Sequence, residues 1–187
     1  MSKSDEGEAE VNCVEAPGSA EGRRNTYAAS EDFQRLFAED AFSHYLLAFL
    51  LAADHETAEQ CIVSGLDECM EGNAVFQEWA RSWARRIIVR NAIRMISPHP
   101  GSARPEQSVR DSECKRSRSR IALEDTPFAG VLALEDFERF VYVLSVLEGY
   151  PDREIAVLMD TSTREVEAAR LYALQHIGES GQSAGGN

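Results

Sequence analysis

The residues of this chain that could act on another molecule are its arginines, and their spacing is helical. In the stretch from Phe76 to Ile96, FQEWARSWARRIIVRNAIRMI, five arginines accompany a single acid, Glu78. Arg81 and Arg85 stand four apart, and so do Arg86, Arg90 and Arg94. That spacing stacks side chains on one helix face, where like charges repel. Such a ladder needs counter-charge, from acids elsewhere in the chain or from the phosphates of a polyanion. Both sources remain open from the sequence. A sparser set, Arg153, Arg164 and Arg170, surrounds Thr163, Glu167 and Ala168 near the C-terminus. Arginine suits phosphates and guanine edges, and a glutamate can accept from the cytosine N4 amino group.

The other reactive types form no constellation. His44, His55, His99 and His176 are scattered and lack metal-ligand spacing. Cys13, Cys61, Cys69 and Cys114 make no close pair and read as reduced thiols, with Cys61 and Cys69 on one buried helix face. There is no phosphate-cradling glycine loop and no nucleophile elbow. No catalytic residue, metal site or cofactor is expected, and the chain does not read as an enzyme.

The sparser set is positioned by LSVLEGYPDREIAVLMDTSTREVEAARLYALQHI, Leu144 to Ile177. Leu144 and Leu147 close an apolar run, and Gly149 stops it, because glycine enters the left-handed C-cap conformation at little cost. Pro151 suits a first helical turn, which needs no N–H there. Ile155, Ala156 and Leu158 give a short helix its buried side. Ser162 and Glu165, three apart, form a capping box. Val166, Ala169, Ala173 and Ile177 then recur at helical spacing. A short helix, a tight turn and a longer helix is the outline of a helix-turn-helix, whose second helix lies in the DNA major groove.

The remaining chain divides by composition. Residues 1–27 carry six acids before Arg23 and Arg24 and read as a disordered acidic tail. Residues 28–97 read as an N-terminal helical domain. There Ser30 is the expected N-cap of an apolar stripe running from Phe33 to Leu50, with a break near Glu39-Asp40. A new helix begins at Asp54-His55-Glu56, Gly72-Asn73 makes a turn, and the arginine-rich helix follows. Its apolar side includes Trp79, Trp83 and Met95, so both tryptophans are expected in the core. Residues 98–131, with Pro98, Pro100, Gly101, Pro105 and a basic serine-rich run, read as a flexible linker. Residues 132–178 form the helix-turn-helix domain, and 179–187 a second disordered tail. The expected fold is all-α, two small helical domains joined by a linker.

Charge and hydropathy exclude some classes. A net charge of −13 argues against a protein that coats nucleic acid non-specifically. No apolar run approaches the roughly 20 residues of a membrane span. The acidic N-terminus lacks a signal pattern, so a cytoplasmic protein without membrane contact is expected.

Leu147-Glu148-Gly149-Tyr150, Glu154-Ile155-Ala156 and Leu158, followed by Ser162 and Val166, resemble the fourth region of bacterial RNA polymerase sigma factors of the extracytoplasmic-function type. Asp160 stands where that family has its turn glycine. In the N-terminal half, Ala52 to Glu59 resembles the family's acidic turn, and Trp83, Ile87 and Asn91-Ala92-Ile93-Arg94 resemble its promoter-facing helix. The likeness covers residues 33–96 and 133–177. It implies a transcription initiation factor with core RNA polymerase and promoter DNA as partners, and an anti-sigma or other regulatory protein as a further one. It places polymerase docking at Glu59, Gln60, Val63 and Ser64. Promoter contact falls to Arg86, Arg90 and Arg94, and to Arg153, Thr163, Arg164, Glu167, Ala168 and Arg170. The departures lie at the same places. Gln60 to Leu66 replaces the family's polar and acidic docking run, Glu167 stands at a usual lysine, and Ala169 at a usual arginine. They favour an alternative, a degenerate sigma fold kept as a protein–protein regulatory module without promoter recognition.

Overall fold

The computed structural model of this chain describes residues 27–72, 74–101 and 128–183, the last four of them by backbone alone. The acidic tail up to residue 26, Asn73, the linker from 102 to 127 and the final four residues lie outside the described part. Among the described residues every regular element is a helix, in accord with the all-α expectation. One isolated bridge pairs Tyr27 with Phe76, where the Ala28 N–H donates to the Val75 carbonyl at 2.7 Å.

Helices α1 (Ser30–Glu39) and α2 (Ala41–Ala52) carry the first apolar stripe, bent at Asp40 as the sequence predicts. Ser30 is the first residue of α1 and not its cap. Ala29 holds the cap position because the Asp32 carboxylate accepts the Ala29 N–H at 3.0 Å, which fixes the chain one residue earlier. Asp54 caps α3 (His55–Glu71), accepting from the Thr57 N–H at 2.9 Å and its hydroxyl at 2.8 Å. Cys61 and Cys69 are both buried on the side of α3 that meets α4 (Ala80–Ile96). Burial pushes the Cys61 thiol up to about 11 and the Cys69 thiol to about 12, so both stay protonated. Gly65 permits the close approach of the two helices, since a Cβ there would lie 3.3 Å from Ile88 Cγ1.

The arginine-rich helix starts later than its pattern indicates. Residues Gln77–Trp79 form one 3-10 turn ahead of α4. That tighter winding carries successive side chains further round the axis than an α-helix does. Trp79 therefore leaves the apolar stripe and is 58% exposed, which corrects the expectation that it is a core residue. Its ring meets Phe76 edge to face at 5.2 Å. Trp83, one α-turn on, is half-buried against the core. Met95, near the helix end, is 42% exposed, with the Cys61 thiol 3.5 Å from its sulfur.

The C-terminal half begins with α5 (Ala129–Leu132), whose first three residues fall in the range read as linker. Buried Val131 anchors it. Helix α6 (Asp136–Tyr142) runs on into a π-helical stretch, Val143–Leu147. The wider turn rotates side chains off the buried stripe. Val146 and Leu147 come out 42% and 45% exposed, although Leu147 continues the apolar spacing. Gly149 ends the run with φ +72°, the left-handed conformation expected of it. Next come α7 (Asp152–Leu158) and α8 (Thr163–Ser183). Helix α8 passes Gly178 without a break, because Gly178 does not take the positive φ that would terminate it.

The halves meet where α2 lies against α6. Arg139 of α6 is 1% exposed and donates across the boundary to the Leu51 carbonyl at 3.1 Å. It also donates to the Leu134 carbonyl at 2.9 Å and pairs with Asp136 at 2.6 Å. This buried cation has no periodicity of its own and the sequence gives no sign of it.

Candidate nucleic-acid interface

The two candidate surfaces are built differently. The helix-turn-helix rests on α7 and α8, joined by Met159 to Ser162. Ile155, Ala156, Met159, Val166, Ala169 and Ala173 pack inside. The Thr161 N–H reaches back to the Ala156 carbonyl at 2.9 Å. Asp160 takes φ +49°, the left-handed conformation that glycine enters most cheaply. An aspartate tolerates it better than a β-branched residue would.

The start of α8 is held by the expected capping box. The Glu165 carboxylate accepts from the Ser162 N–H at 3.0 Å, the Ser162 hydroxyl at 2.7 Å and the Thr161 hydroxyl at 2.8 Å. The Glu165 N–H donates back to Ser162 Oγ at 3.2 Å. The Ser162 bonds, with help from Thr161, pull the Glu165 pKa down to about 2. This fixes the direction in which Thr163, Arg164, Glu167 and Ala168 project, and all four are exposed. Arg170 is not free for phosphate, because it is paired with Asp152 of α7 at 2.5 Å. Arg153 and Arg164 are exposed and have no ion-pair or hydrogen-bond partner among the described residues.

The arginine ladder of α4 is instead neutralised within the molecule. Arg81 pairs with Asp40 of α2's start. Arg85 pairs with Glu148, its Nε donating at 2.9 Å, and Arg86 pairs with Glu154 of α7. Glu68 of α3 receives both Arg90, at 3.2 Å, and Arg94, at 2.7 Å. Every arginine of the ladder thus has a carboxylate. The internal source of counter-charge, left open by the sequence, is present. Each such partly exposed pair contributes little stability, on the order of 0–1 kcal/mol. Their effect is to cancel the field that a phosphate would meet.

Of the residues placed at polymerase docking, Glu59, Gln60 and Val63 are exposed along α3, and Ser64 is half-buried beside the Glu68–Arg94 pair. Arg85 and Arg86 also floor a groove of about 810 Å³ between the halves, walled by Trp79, Trp83, Glu148 and Tyr150. That groove depends on contacts between distant parts of the chain and has no sequence signature. Among the described residues no three His, Cys, Asp or Glu side chains converge as metal ligands would. None of the described helices is long and apolar enough to cross a membrane.

No protein-family model matches the chain, and no curated protein matches it.

Proposed function

We propose that this protein is a sigma-like transcription initiation factor that binds core RNA polymerase in the cytoplasm and brings a helix-turn-helix to promoter DNA. The observation that carries this reading is the capped start of α8. Its Ser162–Glu165 box orients Thr163, Arg164, Glu167 and Ala168 outward from a turn held by Asp160. Residues in the first half of the second helix are those that approach base edges in such a motif. Arg153 and Arg164 are cations available to a phosphate or a guanine. Glu59, Gln60 and Val63 offer an exposed edge of α3 for polymerase.

The neutralised ladder supports a second reading. With Arg86, Arg90 and Arg94 each on a carboxylate, the N-terminal half presents little positive field. Helix α8 itself carries Glu165 and Glu167 near its start. A regulatory module that meets only protein fits both facts. Duplex selection from a random pool by the protein with bacterial core polymerase separates the two. Enrichment of one motif, lost in Thr163→Ala and Arg164→Ala, supports promoter reading. Polymerase capture without enrichment supports the protein-only module. Neither capture nor enrichment rejects the sigma-like reading and leaves the protein-only module with a partner other than polymerase.

A further inference from the structure

The groove between the halves has the make-up of a small-molecule site. Its volume of about 810 Å³ lies within the roughly 300–1,000 Å³ of ligand pockets, which favour the boundary between two units. Phe76, Trp79 and Trp83 line it from the N-terminal half, and Tyr150 lines it from the C-terminal half. None of the four rings is fully buried, and Trp79 is exposed. The wall is nonetheless ordered. Tyr27 stacks on Phe76 at 4.8 Å, and Phe76 meets Trp79 edge to face at 5.2 Å. A set of open aromatic surfaces around one cavity suits a planar ring, which stacks on one face and meets another at its edge.

The polar groups narrow the ligand further. The charges that line the groove are already matched, Arg85 with Glu148 and Arg86 with Glu154. They sum to zero, and an ionic ligand would have to break a pair to find a partner, so the complementary occupant is uncharged. The groups left over are donors. The Tyr150 hydroxyl and the indole N–H groups of Trp79 and Trp83 have no hydrogen-bond partner among the described residues. The Ser82 hydroxyl is spent on the Trp79 carbonyl at 3.0 Å. Burial holds the Tyr150 pKa above the ordinary phenol range, with Arg86 opposing and Glu148 and Glu154 assisting, so its O–H stays in place. A tyrosine or tryptophan drawn out of water normally gives such a donor an acceptor. We propose that the groove binds a small, uncharged, planar aromatic molecule that carries a carbonyl-type acceptor, its ring against Trp79 and Trp83 and its acceptor on the Tyr150 hydroxyl.

The site touches both halves at once. Trp79 and Trp83 stand at the start of α4, and Tyr150 directly precedes Pro151, the N-cap of α7. An occupant therefore ties the first helix of the helix-turn-helix to the N-terminal half. Binding is read without DNA or polymerase, so its failure and that of the promoter-reading proposal are distinguishable.

Trp79 and Trp83 are the chain's two tryptophans, so both indole N–H signals of the isotope-labelled full chain report on the groove by nuclear magnetic resonance. The probes are naphthamide, an uncharged ring with a carbonyl; naphthoate, the same ring as an anion; and naphthalene, the ring alone. Naphthamide should shift both signals saturably, with a Kd between about 10 µM and 1 mM, as expected of a ligand this small. Naphthoate and naphthalene should each bind about fivefold more weakly, one for its charge and the other for the lost hydrogen bond. Tyr150→Phe keeps the ring and removes the hydroxyl. It should weaken naphthamide about fivefold and leave naphthalene unchanged. Trp79→Ala should weaken naphthamide about tenfold, read on the Trp83 signal. Trp79 is exposed and Tyr150→Phe conserves shape, so far-UV circular dichroism should be unchanged in both. If naphthamide moves neither indole signal, the proposal is overturned. Naphthoate binding as tightly as naphthamide overturns it too, since the groove would then accept charge. Equal affinity for naphthamide and naphthalene, or a Tyr150→Phe chain that holds naphthamide as the parent does, overturns it as adventitious apolar binding.

Discussion

Helix α4 and helix α8 reverse the impression that their compositions give. Helix α4 is the basic one, yet each arginine of its ladder meets a carboxylate from α3, α7, the bend at Asp40 or the turn at Glu148. Helix α8 is poor in cations and carries Glu165 in its first turn, yet Arg164 there is unpaired among the described residues, as is Arg153 just before it in the motif. Charge counted along a chain is therefore a poor measure of charge shown to a ligand. Pairing across the fold decides it. The same pairings do a second job, since Arg85 and Arg86 reach from one half of the molecule to the other.

The contrast depends on the joint between the halves, and breaking that joint should have the largest effect. Arg139→Ala would leave Asp136 without its buried cation and the Leu51 and Leu134 carbonyls without their donor. The expected loss is about 2–5 kcal/mol, mainly from two buried carbonyls left without a donor, since Asp136 is part-exposed and can turn to water. Urea unfolding followed by circular dichroism measures it. A loss below about 1 kcal/mol would mean that the joint is not a structural element.

Beside the joint lies His44, wholly buried, with neither ring nitrogen hydrogen-bonded among the described residues. Burial holds its pKa below the ordinary 6.5, assisted by Arg85 and Arg81 and opposed by Asp40 and Glu148. Well above pH 6.5 it is neutral in both folded and unfolded chains and contributes nothing to pH dependence. As pH falls below 6.5 the unfolded chain takes up a proton that the folded chain refuses, so stability declines. Urea midpoints at about pH 7.5 and 5.5 should differ for the parent and converge in His44→Leu. Equal shifts in both proteins would assign the pH dependence to other groups.

Which features were legible in the sequence follows from how local their causes are. The bend at Asp40, the Asp54 cap, the Gly149 stop and the Ser162–Glu165 box each depend on neighbours a few residues away. All four can be read from residue type and spacing. Trp79 and Leu147 leave the apolar stripe because a 3-10 turn and a π-helical stretch change the angular step, and no apolar pattern reports that change. Arg139 and the partners of Arg85 and Arg86 join residues far apart in the chain. A ladder of arginines states that counter-charge is needed, but the supplier is known only after folding. For the same reason the face of the candidate site was legible, while the state of its charges was not.

The two helices can be made to exchange roles. Glu68→Gln removes the carboxylate shared by Arg90 and Arg94, whose side chains are 43% and 60% exposed. If the N-terminal half approaches DNA, both arginines become available to phosphates. The salt dependence of duplex binding should then steepen by close to two units of slope, at about 0.9 per phosphate. An unchanged slope would show that this helix does not face DNA in the complex.

Glu167→Lys is the smaller and more local change. Glu167 is exposed on the outer face of α8, where a carboxylate repels phosphates and can accept only from amino groups of cytosine or adenine. If α8 approaches DNA without reading a base through Glu167, the lysine neutralises one further phosphate. General affinity then rises, and the slope steepens by about one unit. If Glu167 accepts from a cytosine, the substitution removes sequence preference while non-specific binding rises. If α8 meets only protein, DNA binding stays absent and partner capture weakens. Full-length parent and variant should be compared on random and selected duplexes between about 50 and 200 mM salt, where one unit of slope is a change of roughly fourfold. No duplex binding by either protein at the low-salt end would end promoter reading by this helix and leave the protein-only reading in place.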